Sequence, residues 1–178
     1  MASLSKNILI TGLPGSGKTT LIQKLADELR EYTPAGFYTE EIRSHGARAG
    51  FKLTSLDGKK TGTLAHVDIK GPHRVGKYGV DREGFEQFLG TLPLYDPLPR
   101  LIIIDEIGKM ECLSAEFRDL VTTLLNAPAP VIATIALKGN GFINEVKHCP
   151  GVRLYELTER NRDALLPDIA GLVRSFSL

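Results

Sequence analysis

The sequence has little cysteine, almost no net charge and no long apolar segment, and each scarcity excludes a class of protein. Its 178 residues include two cysteines, Cys112 and Cys149, which lie far apart without a CxxC spacing and so argue against a disulfide framework or a zinc site. Lys and Arg number 22 and Asp and Glu 21, so the net charge of +1 creates no overall field that draws the chain to nucleic acid or an anionic membrane. No apolar run approaches the roughly 20 residues of a membrane helix, and the apolar part of the N-terminus is too short for a signal peptide. We therefore expect a cytoplasmic protein that does not bind membranes.

The composition is that of an ordinary globular domain, with 42% hydrophobic and 24% charged residues. At this length folding buries roughly 70% of the surface of the unfolded chain, so one core suffices and we expect a single domain over residues 1–178. Short apolar runs alternate with segments of helical periodicity, which is typical of an α/β fold with a mostly parallel central sheet and flanking helices. The pattern predicts strands over 7–11, 101–104, 131–135 and 152–157, and helices over 18–31, 81–89, 114–125 and 162–176.

Residues 37–65 depart from this alternation. They consist of short strand-like runs separated by turn residues, and Asp57-Gly58 is the strongest hairpin signal among them because it suits a tight turn with positive φ. We expect this segment to form an antiparallel β-hairpin insertion in the three-layer fold. In the last predicted helix, Pro167 predicts a kink.

The loop after the first predicted strand matches G-x-x-x-x-G-K-[ST] at every fixed position and leads into a predicted helix, the context that the motif requires. Glycines let such a loop curl so that backbone N–H groups converge on phosphate oxygens, and the positive end of the helix dipole adds to the attraction. Here the ammonium group of Lys18 can reach the β and γ phosphates, and the hydroxyl of Thr19 can coordinate Mg²⁺. A glycine-rich turn that merely links strand to helix is the less favoured interpretation. The predicted phosphate site is Gly12, Leu13, Pro14, Gly15, Ser16, Gly17, Lys18, Thr19 and the adjoining Thr20.

Two carboxylates follow the most apolar run of the sequence, LIII at 101–104. Asp105 has the position expected for the second Mg²⁺ ligand, the Walker B aspartate. Glu106 beside it can orient and deprotonate a water molecule in line with the γ phosphate, which favours hydrolysis over transfer to an acceptor. The alternatives are an acidic strand end and a surface charge. Residues 105–108 also fit the D-x-x-G of GTPase switches, but no N-K-x-D follows, so we expect no such switch and loose base selectivity.

Five segments taken in order resemble the cancer-related nucleoside-triphosphatase family of small P-loop proteins. They are GLPGSGKTTLI, GFYTEEIR, RVGKYGVD, IIDEIGKME and LTERNRDALLPDI, and the similarity extends from Ile8 to Ile169. This resemblance implies a compact α/β P-loop NTPase fold. It also implies Mg²⁺-dependent hydrolysis of ATP, GTP, CTP and UTP to diphosphate and phosphate. The nucleotide-binding positions that it adds to the phosphate loop are Leu101, Ile102, Ile103, Ile104, Asp105, Glu106, Ile107 and Gly108.

Three further polar residues lie where parallel strands should end. Thr134 either senses the γ phosphate through its hydroxyl or is only a β-branched strand residue. Asn161, in the segment 158–162, either contacts the base or caps the final helix. We include Arg162 with it among the predicted nucleotide-binding residues.

A finger residue that neutralises charge in the transition state is not singled out by the sequence. Its absence slows P-loop hydrolysis by about 10³-fold or more, so we predict a slow enzyme unless a lid residue closes over the site. The possible donors are Arg74, Lys109, Arg160 and Arg162.

Basic residues near the predicted hairpin do not indicate nucleic-acid binding, because turn lysines are usually solvated and no aromatic residues alternate with them. We expect a monomer whose partner is a nucleoside triphosphate. Two rival interpretations remain: a small-molecule or nucleotide kinase of the same fold, and a nucleotide-dependent binding switch. The basic residues concerned are Arg43, Arg48, Lys52, Lys59 and Lys60.

Overall fold

The computed structural model describes residues 5–139, 141–176 and 178. The strands within these residues are β1 (Asn7–Thr11), β2 (Ala35–Ser44), β3 (Ala47–Ser55), β4 (Thr61–His66), β5 (Arg74–Val75), β6 (Tyr78–Val80), β7 (Ile102–Ile107), β8 (Val131–Ile135) and β9 (Val152–Glu156). The helices are α1 (Lys18–Glu28), α2 (Arg82–Gly90), α3 (Ala115–Asn126), α4 (Phe142–Lys147) and α5 (Arg162–Arg174). None of the helices in the described ranges is long and apolar enough to cross a membrane.

One sheet joins the described strands in the order β5-β6-β4-β3-β2-β7-β8-β1-β9. In the half of the sheet that runs β2-β7-β8-β1-β9, neighbouring strands are parallel. In the other half, which runs β2-β3-β4-β6-β5, neighbouring strands are antiparallel. The α/β P-loop fold class is thus confirmed, and the predicted antiparallel insertion is part of the same sheet. Because β8 lies between β1 and β7, the loop after β1 and the carboxylates of β7 come from strands that are not neighbours.

Helices cover both faces of the parallel part of the sheet. Successive residues of β1 point to opposite faces, so Leu9 packs with α2 and α3 while Ile8 and Ile10 pack with α1 and α5. On the first face Phe37 meets the rings of Phe85, Phe88 and Phe117 edge-on, with ring centroids 5.8–6.3 Å apart. The core of the second face includes Leu21, Ile22, Leu25, Leu165 and Ile169.

Most predicted elements are confirmed, and their ends differ where packing overrides local pattern. Helix α1 ends at Glu28, and a short 3₁₀ turn over Arg30–Tyr32 follows it. Strand β7 continues through the two carboxylates to Ile107, which is buried and pairs with Ile135. Pro167 lies inside α5, and the helix continues on both sides of it. The short elements β5, β6 and α4 were not predicted, because two to six residues carry too little periodicity.

Candidate nucleotide-binding site

The phosphate loop, residues 12–19, links the end of β1 to the start of α1, as predicted. Gly17 has φ 96°, in the left-handed region that favours glycine, and directly precedes the first helical residue. Gly12 is needed for a different reason. A Cβ there would lie 2.8 Å from the carbonyl oxygen of Leu157 and 2.9 Å from the hydroxyl of Ser16, so no side chain fits.

Lys18 reaches back over this loop. Its Nζ donates to the carbonyl oxygens of Gly12 at 3.0 Å and Leu13 at 3.2 Å. The ammonium group therefore lies at the loop, and its acceptors among the described residues are neutral carbonyl oxygens. A phosphate oxygen is a stronger acceptor for an ammonium group than a carbonyl oxygen, so an incoming polyphosphate can replace these bonds.

Asp105 is the point where four elements meet. It is 2% exposed and accepts hydrogen bonds from α1, β2 and β8 while standing on β7. Its Oδ2 accepts from Thr19 Oγ1 at 2.8 Å, and from the amide and the hydroxyl of Thr39 at 3.3 and 3.4 Å. Its Oδ1 accepts from Thr134 Oγ1 at 2.6 Å. This hydrogen-bonding fixes both oxygens of the buried carboxylate.

The donor set around Asp105 fits Mg²⁺. A carboxylate and a hydroxyl oxygen 2.8 Å apart are the hard ligands that this ion prefers, and it usually combines one or two protein oxygens with water and substrate phosphates. Within the described ranges no group of three His, Cys, Asp or Glu side chains could hold a metal ion by itself. Thr19 and Asp105 would share the ion with a bound phosphate and water.

Glu106 and Glu111 form a second carboxyl pair beside Asp105. Burial raises the pKa of Glu106, the charge of Asp105 raises it further, and Lys18 lowers it. Burial also raises the pKa of Glu111 well above its usual value, and the charge of Glu106 adds to that effect. A Cβ at Gly108 would lie 2.7 Å from an oxygen of each glutamate, so the glycine leaves room for both side chains.

A cavity of about 700 Å³ opens at these residues, within the size range of small-molecule sites. We name it the phosphate cavity. One wall is the phosphate loop with the start of α1, the floor is the end of β7, and the other wall is the hairpin of β2 and β3. Its lining residues are Pro14, Gly15, Gly17, Lys18, Thr19, Thr20, Gln23, Thr39, Glu40, Glu41, Arg48, Phe51, Asp105 and Glu106.

The structure brings only part of the predicted nucleotide-binding segments to this cavity. The apolar side chains of the predicted segment 101–108 lie in the core and not on the cavity wall. From the core they position Asp105. Leu13 is 65% exposed at the tip of the loop, and Ser16 has a buried hydroxyl for which the described residues offer no hydrogen-bond partner. The core residues are Leu101, Ile102, Ile103, Ile104 and Ile107.

The two predicted residues after β9 lie apart from the phosphate cavity. Arg162 lines a second cavity of about 250 Å³, which shares Gly17 and Thr20 with the phosphate cavity. Asn161 accepts a hydrogen bond from the amide of Thr158 and donates one to the carbonyl of Glu156, each at 2.8 Å. It precedes α5 but makes no side-chain capping bond to it, so its amide stabilises the loop.

Sequence reasoning did not single out the cavity-lining role of Arg48 or the following residues at the site: Gln23, Thr39, Glu40, Glu41, Phe51 and Glu111. Thr39 belongs to the GFYTEEIR segment and Glu111 to IIDEIGKME, so the only signal was their presence in the segments that carried the resemblance. Thr134 was singled out, and its hydroxyl is fully buried and bonded to Asp105.

Fold and site together define a P-loop nucleotide-binding protein of the α/β class. A family model described as NTPase matches residues 7–170. The chain belongs to this family, the nucleoside-triphosphatases, and the resemblance noted in the sequence is confirmed. It is an enzyme of that class.

Relatives of known name cover nearly the whole chain. The nucleoside-triphosphatase THEP1 of Thermotoga petrophila is 49% identical over 164 residues, which are 91% of this chain and 89% of that protein. The human cancer-related nucleoside-triphosphatase is 38% identical over 190 aligned residues, covering 97% of this chain and 98% of the human one. Among solved structures, the crystal structure of THEP1 from the hyperthermophile Aquifex aeolicus superposes with a TM-score of 0.83 at 38% identity, over 94% of this chain and 98% of that one.

Proposed function

We propose that this protein hydrolyses nucleoside 5'-triphosphates to diphosphate and phosphate, depends on Mg²⁺ and discriminates little among bases. The observation that carries the proposal is the convergence of Lys18, Thr19, Asp105 and Glu106 on one cavity. These four groups are a cation for phosphate, two hard oxygen ligands and a carboxylate with a raised pKa. Each is a part that phosphoryl transfer to water requires.

Substrate binding in this proposal rests on the phosphate loop. Backbone N–H groups at the start of α1 face the β phosphate, and the ammonium group of Lys18 leaves the carbonyls of Gly12 and Leu13 for the β and γ oxygens. Thr19 and Asp105 would hold Mg²⁺. When bound, this ion would neutralise the negative charge that develops on the phosphate oxygens in the transition state.

Glu106 accepts the proton in the hydrolytic step. A water oxygen forms a bond to the γ phosphorus while the bond from that phosphorus to the bridging oxygen breaks, and the leaving group is the diphosphate. The proton released by the water passes to the carboxylate of Glu106. Its raised pKa makes it a stronger base than an ordinary glutamate.

Loose base selectivity is supported by the second cavity. Leu21, Leu157 and Leu166 provide apolar surface there, and Arg162 and Asp163 lie at its polar side. The nearby Asn161 amide makes one hydrogen bond through its oxygen and one through its nitrogen within its own loop, which leaves fewer of its polar sites to recognise a base edge. Packing against apolar side chains tolerates any base.

The hairpin charges do not favour nucleic acid as a partner. Arg43 and Arg48 both pair with Glu41, and Lys59 lies 3.9 Å from Asp57, so neighbouring carboxylates offset the positive charge. We propose that the protein acts as a cytoplasmic monomer on a free nucleotide.

The main test is phosphate release from ATP, GTP, CTP and UTP, each with and without Mg²⁺. We expect release from all four, slow turnover, and loss of activity without the ion. Lys18→Ala should lower kcat/KM strongly, and Glu106→Gln should lower kcat by about 10²–10⁴-fold while nucleotide still binds. Lys59→Ala, which removes an exposed lysine outside the cavity, is the matched control. Equal activity of the wild type and Lys18→Ala would exclude the proposal.

A kinase remains the second candidate because the phosphate cavity extends beyond the phosphate loop to Glu41, Arg48 and Phe51, where an acceptor could fit. Phosphate release is therefore measured with and without nucleoside, nucleotide and sugar acceptors. Equal release in all mixtures supports hydrolysis, whereas a phosphorylated acceptor supports the kinase. A binding switch predicts instead that Glu106→Gln captures a partner that the wild type releases.

A further inference from the structure

We propose that Arg48 is a catalytic arginine supplied within the chain. It breaks its ion pair with Glu41 and stabilises charge on the terminal phosphate of the bound nucleotide. This inference rests on the proposed function and adds the residue that the sequence could not choose. Arg48 stands on β3 and lines the phosphate cavity together with Lys18, Asp105 and Glu106. It is the one arginine among the described residues that line this cavity.

The sheet itself places the hairpin of β2 and β3 over the phosphate loop. Strand β2 pairs with β7 in parallel, and two residues beyond this pairing Thr39 contacts Asp105. Residues two apart on a strand share a face, so Glu41 points to the same side as Thr39. A two-residue turn at His45 and Gly46, both with positive φ, then returns the chain on β3.

Arg48 is bound in a way that allows release. Its Nη2 donates to Glu41 Oε1, and its guanidinium lies 5.6 Å from the centre of the Phe51 ring. The side chains of Arg48 and Glu41 are 42% and 35% exposed, and ion pairs this accessible to solvent contribute little stability. The terminal phosphate of a nucleoside triphosphate carries more charge than one carboxylate and competes well for a guanidinium.

Glu41 does not become an unpaired charge when Arg48 leaves. Arg43 binds its other oxygen, with Nη2 at 2.8 Å and Nε at 3.1 Å from Oε2. Arg43 is not among the residues that line the phosphate cavity. The two arginines therefore share one carboxylate but only Arg48 faces the site, which makes Arg43 a matched control.

None of the donors suggested by the sequence lines the phosphate cavity, and Arg160 is exposed in the turn before α5. Arg74 is on β5, at the far edge of the sheet, and donates to the carbonyls of Ile69 and Lys77. Lys109 lines a separate cavity with Cys112 and Arg118. Arg162 lines the second cavity, on the side of Gly17 and Thr20.

The test compares Arg48→Ala, Arg48→Lys and Arg43→Ala with the wild type in steady-state phosphate release from ATP. Because an arginine that acts in the transition state contributes about 10³-fold or more, we expect Arg48→Ala to lower kcat by about that factor with a much smaller change in KM. Arg48→Lys should recover little, since a lysine lacks the planar fork of donors. Arg43→Ala should stay within about threefold of the wild-type kcat, because water can solvate the 35% exposed Glu41 side chain in place of Arg43.

Two further readouts separate this role from a structural one. Free guanidinium at millimolar concentration should raise the kcat of Arg48→Ala but leave Arg43→Ala unchanged, and all variants should melt as the wild type does. The inference is overturned if Arg48→Ala retains kcat within about threefold, if both alanine variants lose activity equally, or if guanidinium has no effect. In each of these cases activity of the wild type and its loss in Lys18→Ala would leave the proposed function standing. A wild type without hydrolysis would remove both.

Discussion

Thr134→Val isolates one hydrogen bond at the centre of the site. Thr134 is fully buried on β8, and its hydroxyl donates to Asp105 Oδ1 at 2.6 Å. Valine keeps the β-branched shape and replaces the hydroxyl with a methyl group, so the buried carboxylate loses this donor while the packing is retained. Hydrogen bonds to charged groups contribute about 1.5–3 kcal/mol, and we expect the free energy of unfolding to fall by about that amount.

Thermal unfolding without nucleotide or Mg²⁺ measures the effect. In a chain of this size a loss of about 2 kcal/mol lowers Tm by about 4–8 °C. Thr134→Ser is the control because it keeps the hydroxyl and loses only a methyl group, at a cost of about 0.5–1.5 kcal/mol. A valine variant that melts with the wild type, or a serine variant that loses as much as valine, would refute the assigned hydrogen bond.

The same variant tests the orientation of Asp105 toward the ion. Partners that orient a metal ligand typically contribute about 10–100-fold in metal affinity. We therefore expect the Mg²⁺ concentration that gives half-maximal phosphate release at saturating ATP to rise by about that factor in Thr134→Val. An unchanged Mg²⁺ dependence, together with a lowered Tm, would mean that the bond stabilises the fold without orienting the ligand.

Two other substitutions test the second carboxyl pair and the sheet. The pKa of Glu111 is raised above its ordinary value of 4.5 in the folded protein, so the free energy of unfolding falls as pH rises above 4.5. The loss is about 1.4 kcal/mol for every tenfold increase in proton affinity that folding gives this carboxyl group. Glu111→Gln should therefore be more stable than the wild type at pH 8 and similar at pH 4 in denaturant unfolding, and a difference that does not vary with pH would contradict this assignment. A Cβ at Gly36 would lie 1.7 Å from the carbonyl oxygen of Ile103, so Gly36→Ala should destabilise by more than about 3 kcal/mol in the same assay. Gly62→Ala, where the nearest atoms lie at 3.6 Å, is the control, and equal stability of the two variants would contradict the close strand approach.

The local sequence pattern was sufficient to predict the phosphate loop. Its glycines, Lys18 and Thr19 act within eight consecutive residues, and the strand before and the helix after are each defined by their own periodicity. The extent of β7 was less predictable. Asp105 and Glu106 resemble a strand end, but Ile107 packs in the core and pairs with Ile135, with a register shift between Ile104 and Ile107. A long-range pairing thus extends the strand through its polar residues.

The remaining site residues depend on strand order, which no local pattern contains. Thr39 and Thr134 reach Asp105 because β2 and β8 are the neighbours of β7 in the sheet. In sequence, Thr39 is 66 residues and Thr134 is 29 residues from Asp105. Arg48 reaches the phosphate cavity because the antiparallel strands continue the same sheet. Turn residues predicted antiparallel strands in this segment, and the predicted turn at Asp57-Gly58 lies between β3 and β4. The position of the β2–β3 hairpin over the phosphate loop follows from the pairing of β2 with β7.

The two oxygens of Asp105 have unequal surroundings, and this difference bears on how the site would exchange ligands. Oδ1 has one short bond to the fully buried Thr134, whereas Oδ2 is shared by Thr19 and Thr39, which line the cavity. An Mg²⁺ ion at Oδ2 would replace the hydrogen bond from Thr19, whose hydroxyl would then be a second ligand, and would leave the bond at Oδ1 intact. The carboxylate would thus keep its orientation while its outward oxygen changed partners, so we expect removal of the Thr134 hydroxyl to weaken ion binding although that hydroxyl would not contact the ion.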